Sequence, residues 1–178
     1  MSTKLKAFSH GITKARFLEE LNKYYEENSF VQGTFYDEET SKGCAIGCSI
    51  KSINDIQGSV YYTGAHGAYE AIGVPAWLAF LEDTIFENLD IEDAKKWPMR
   101  FSEAINPGAE LDSIKDALFE VFSDICPWAI NSEYFRLEVR TDLPAILDFS
   151  HLRRTSKDTL EAADLMIEHL KACKSSEA

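Results

Sequence analysis

The stretch PAWLAFLEDTIFENL, residues 75–89, most constrains what this chain can fold into. Placed on a helical wheel, Trp77, Leu78, Leu81, Ile85, Phe86 and Leu89 cover about half of the circumference. Pro75 suits the first helical position, where its missing N–H would find no partner anyway. An apolar arc that broad has to be buried, so the segment reads as a core helix. Glu82 falls inside the arc and Asp83 on the polar side. A carboxylate placed like Glu82 sits at the rim with its head in water or is buried with a partner; the rim is the expectation, because acids are rarely buried whole.

The same period recurs along the chain. Phe17, Leu18, Leu21, Tyr24 and Tyr25 mark a helix near residues 12–28. Leu111, Ile114, Leu118, Val121, Phe122 and Ile125 mark another over 111–125, ended by Cys126 and Pro127. Leu160, Ala163, Ile167 and Leu170 mark a last one over 157–172, capped by Thr155 or Ser156. Asp90 with Asp93 resembles a cap for IEDAKKW, Pro98 restarts the chain into MRFSEAI, NPG breaks it, and HGAYEAIG is a short helical piece. SFVQGTFY, aromatic and β-branched and followed by the turn-like DEETSKG, reads as a strand, whereas YFRLEVR is open between strand and helix. The fold expected is α+β, a mainly α-helical single domain over residues 1–178 with a small β-hairpin near residues 30–50 and a short frayed tail at 174–178.

The segment GCAIGCSI, residues 43–50, is the natural hairpin partner, and it has two readings. As a strand it places Cys44, Ile46, Cys48 and Ile50 on one face with a clean period of two. As a helix it groups Ile46, Ile50 and Ile53, but an internal glycine costs roughly 1 kcal/mol relative to alanine. The strand is favoured. It would hold the two sulfurs ~13 Å apart, against ~6 Å on a helix, so only a helix or loop could clip one metal between them.

Composition narrows the function classes. The 178 residues are 45% hydrophobic and 27% charged, suited to a folded domain. Thirty acids against 18 Lys and Arg give a net charge of −12, with no basic stripe, which disfavours direct nucleic-acid binding. No apolar run approaches the ~18 residues that span a bilayer, and no secretory leader is evident. Cys44, Cys48, Cys126 and Cys173 are too few for a disulfide framework, so they read as reduced thiols of a cytoplasmic protein. The partner expected is an unidentified small molecule or protein, with no membrane; the oligomeric state is not legible.

The runs GTFYDEETSKGCAIGCSI, HGAYEAIGVPAWLAFLEDTIFENL and AKKWPMRFSEAI resemble a family of bacterial and phage proteins to which no activity is assigned. A glycine–cysteine pair, a His shortly before Tyr-Glu, a Gly-Ile-Pro helix start, Leu-Glu-Asp and Trp-Pro recur there in this order. The resemblance covers roughly residues 32–106; this chain has Gly-Val-Pro at 73–75 and extra residues ahead of His66. It implies that Cys44, Cys48, His66, Tyr69, Glu70, Glu82 and Asp83 are the positions to watch.

Their chemistry suggests a Cys/His-dependent enzyme of hydrolase or transferase type. A thiolate forms when a nearby imidazole, held by a carboxylate, takes the proton. Cys44 or Cys48, His66, and Glu70 or Glu82 supply those parts, with Tyr69 and Asp83 as binding groups. Against this stands the plainer possibility that both cysteines are packed small hydrophobes. A zinc site of the two cysteines with His66 and Glu70 is weaker, since structural zinc usually shows C-x2-C spacing, and neither metal nor cofactor is expected. The competing class is an acidic, non-enzymatic binding or inhibitor protein that docks on a basic host surface, supported by LEELNKYYEEN and DEET.

Overall fold

Phe17 and Leu21 turn the first helix, α1 (Lys14–Glu26), toward the core. The Thr13 hydroxyl caps it, accepting from the Arg16 amide at 3.3 Å. The computed structural model describes residues 5–9, 11–58, 65–127 and 156–175. Phe30 then bridges Gly43, and two short antiparallel strands, β1 (Tyr36–Asp37) and β2 (Lys42–Gly43), pair Tyr36 with Gly43 and Asp37 with Lys42. Asp37 fixes their turn, accepting from the Glu39 amide and the Thr40 hydroxyl.

After Gly43 the chain departs from the strand favoured by its alternation. Residues Ala45–Gln57 form helix α2, with Cys44 as its N-cap residue. The glycines explain the reversal. A Cβ at Gly47 would lie 1.6 Å from the Phe35 carbonyl oxygen, and one at Gly43 would lie 2.4 Å from it. The hairpin backbone therefore sits directly on the first turn of α2. The helix propensity lost at Gly47 is offset by a contact no other residue permits.

A 3-10 helix (Ala65–Ile72) follows, and Pro75 stands as the N-cap of α3 (Ala76–Asn88). Helix α3 buries Trp77, Leu78, Ala79, Phe80, Leu81, Glu82, Ile85 and Phe86, more than the half-circumference its apolar residues mark. It is covered by α2, the 3-10 helix, α4 (Ile91–Ala104) and the last helix, α6 (Ser156–Ala172). Pro98 lies inside a continuous α4 rather than dividing it. Proline removes one N–H bond there, and the fully buried Trp97 and Phe101 hold the helix in place across the gap. A second 3-10 turn (Leu111–Ile114) leads into α5 (Lys115–Ile125), which packs on α6.

The protein is thus a mainly helical α+β fold with a small hairpin. The expected tail is held at its start, because Ser175 bridges Ala109 and Asn106 donates to the Cys173 carbonyl at 2.9 Å. The segment 134–140, open between strand and helix, lies outside the described residues. Among them, no helix is long and apolar enough to cross a membrane.

Candidate functional site

The site forms where the hairpin, the N-terminus of α2, the first 3-10 helix and the middle of α3 meet. Asp83 and Glu87 are four residues apart on α3 and share one side of it. Cys44 faces them from the start of α2: its sulfur and one oxygen from each carboxylate lie within 4.8 Å of one another. His66 brings its Nε2 to 3.4 Å from Asp83 Oδ2, with its ring 5.1 Å from that of Phe80, one turn back along α3.

Backbone contacts position these groups. The Cys44 amide donates to the Thr34 carbonyl at 2.6 Å and to Phe35 at 3.1 Å. The Gly33 amide donates to Glu87 Oε2 at 2.8 Å, and the Gln32 side chain donates to the carbonyls of Phe86 and Leu89, tying the segment before β1 to the end of α3. The His66 side chain is 7% exposed and that of Asp83 27%. Asp83 Oδ1 is itself buried, with no hydrogen-bond partner among the described residues.

Glu82 lies behind this cluster. It is fully buried rather than at the rim, because α2, α4 and the 3-10 helix close over the arc it occupies. The Tyr69 hydroxyl donates to its Oε2 at 3.4 Å, and the Trp97 indole donates to its backbone carbonyl at 3.0 Å. Burial, then the charge of Asp83, pushes the Glu82 carboxyl well above the ordinary carboxylate range. Burial, then the charge of Glu82, does the same to the Tyr69 phenol.

The thiols follow the same physics. Burial, then Asp83, pushes Cys44 well above the usual thiol range, and burial raises Cys48 to about 12. Cys48 is fully buried and donates its S–H to the Gly43 carbonyl at 3.5 Å. Glu87 is raised by burial and Asp83 against the pull of the Gly33 amide.

Of the residues singled out in the sequence, the fold brings Cys44, His66 and Asp83 into one cluster and sets Glu82 and Tyr69 behind it. Cys48 is spent on a backbone carbonyl, and Glu70 is exposed on the 3-10 helix. Asp83 belongs to the cluster itself, because His66, Cys44 and the Gln32–Gly33 segment meet the polar side of α3. Glu87 escaped the sequence reading; its signal is the four-residue spacing from Asp83.

No protein-family model, no curated protein and no solved structure matches the chain. Fold and site alone therefore define its class: a mainly helical α+β protein with a largely buried thiol, imidazole and carboxylate cluster.

Proposed function

We propose that this protein is a small enzyme of hydrolase or transferase type, acting on an acyl or amide-like group, with the Cys44, His66, Asp83 and Glu87 cluster as its centre. One observation carries the reading: three separate pieces of chain deliver a thiol, an imidazole and two carboxylates to one largely buried place. Burying such groups together opposes folding, so their convergence calls for a chemical use. His66 is the proton-transfer group, oriented by Asp83 and by the Phe80 ring. Cys44 lies beside Asp83 and Glu87, where burial and neighbouring acids hold it as a thiol until a positive charge enters the cluster.

The acidic-binder alternative has less support. On α1, Glu19 and Glu20 are ion-paired with Arg16, and Glu20 also with Lys23, which leaves less free charge for a basic partner.

The test is turnover of a panel of activated acyl esters, thioesters and anilides by the reduced full chain. We expect at least one class to be turned over, with His66→Ala and Asp83→Asn each lowering the rate by about a hundredfold or more. Glu70→Gln should leave it unchanged. Absence of turnover across the panel, or turnover indifferent to both substitutions, overturns the reading.

A further inference from the structure

The electrostatics of the cluster are one-sided. Cys44, Asp83 and Glu87 are each anionic when deprotonated, yet no lysine or arginine is ion-paired with either carboxylate among the described residues. Half-buried acids set side by side with no lysine or arginine between them repel one another. Asp83 Oδ1 adds an independent observation, since it is buried without a hydrogen-bond partner among the described residues while Oδ2 faces the largely buried imidazole of His66.

We propose that Cys44, Asp83 and Glu87 bind one thiophilic divalent cation of the zinc class, with a fourth coordination position open beside His66. The donor chemistry selects the ion. A thiolate disfavours calcium and magnesium, which take oxygen ligands, while sulfur, carboxylate and imidazole all suit zinc. Ligand atoms around a tetrahedral zinc stand roughly 3.3–3.7 Å apart. The three donors already lie within 4.8 Å of one another, so small side-chain rotations close the site. Three protein ligands with one open position is the pattern of catalytic rather than structural zinc. His66 Nε2, 3.4 Å from Asp83 Oδ2, is placed to orient that ligand and to exchange a proton with a water in the open position.

The supports are already rigid. Cys44 is fixed through its amide to the Thr34 and Phe35 carbonyls, and Glu87 through the Gly33 amide. This donor set shares only Cys44 with the weaker zinc arrangement considered from sequence: Asp83 and Glu87 take the place of Cys48, His66 and Glu70 as ligands, and His66 stands beside them.

The inference deepens the enzyme reading and rests on its placement of the centre, while its test needs no turnover. The reduced, chelator-stripped full chain is titrated with Co2+ and the absorption spectrum recorded. One equivalent should bind and give a sulfur-to-cobalt charge-transfer band in the near ultraviolet, which Zn2+ then displaces. Cys44→Ser should abolish the band and Cys48→Ser should retain it. Glu87→Gln, which keeps the side-chain shape at a half-buried position, should weaken Co2+ binding by about tenfold or more and keeps the test decisive if Cys44→Ser fails to fold. No saturable binding by the wild type, a charge-transfer band that survives Cys44→Ser, or full-strength binding by Glu87→Gln overturns the site. A chain that binds Co2+ as described but turns over no acyl substrate removes the enzyme reading alone.

Discussion

At the scale of single residues, burial decides the behaviour of the polar groups. Cys48 and Cys126 are both pushed up to about 12, chiefly by burial. At pH 8 about one such thiol in ten thousand is a thiolate, against roughly a quarter for an unperturbed cysteine. Iodoacetamide added to the folded, reduced chain at pH 8 should therefore leave Cys48 and Cys126 unmodified until denaturant is added, as read by mass-spectrometric mapping. Labelling of either in the native state would contradict their packed positions. The same physics shows why the site was half legible. The place of Glu82 on an apolar arc is visible in the sequence, but whether that arc ends in water or under a neighbour is set by residues distant in the chain, such as Tyr69 and Trp97. Asp83 looks solvent-facing for the complementary reason: a wheel assigns polar residues to water, and here that side meets His66 and Cys44.

At the scale of elements, α1, α3, α5 and α6 lie close to the limits that their apolar stripes indicate. Helix α2 does not, because its period-two alternation mimics a strand and its glycines count against a helix by propensity. Neither signal carries the tertiary contact that decides the matter. Gly47→Ala exposes this competition. Alanine gains roughly 1 kcal/mol of helix propensity, yet its Cβ would meet the Phe35 carbonyl oxygen at 1.6 Å, a backbone atom that cannot move alone. The clash should win, with a net loss of about 1–3 kcal/mol in urea unfolding. The same carbonyl accepts from the Cys44 amide, so the substitution should also disturb the cluster. A Gly47→Ala protein as stable as the wild type would mean that the hairpin does not rest on α2.

At the scale of the whole molecule, α3 is the organising element. It packs against α2, the 3-10 helix, α4 and α6, so the functional cluster and the last helix are joined through one buried rod. A single sequence shows that α3 has a broad apolar arc, but not which helices cover it, since pairing depends on contacts far apart in the chain. The arrangement predicts that α6 is part of the cooperative unit. Met166, Ala162, Ala163 and Leu170 are fully buried on α6, and α6 touches both α3 and α4. Met166→Ala would leave a cavity within those contacts, costing about 2–5 kcal/mol. If α6 unfolded independently, that loss would appear in far-ultraviolet circular dichroism while the fluorescence of Trp77 on α3 and Trp97 on α4, isolated by Trp128→Phe in both proteins, kept its midpoint. We expect instead that both probes share one midpoint in each protein and shift together to a lower urea concentration in the variant, because losing α6 uncovers the faces of α3 and α4 that it buries.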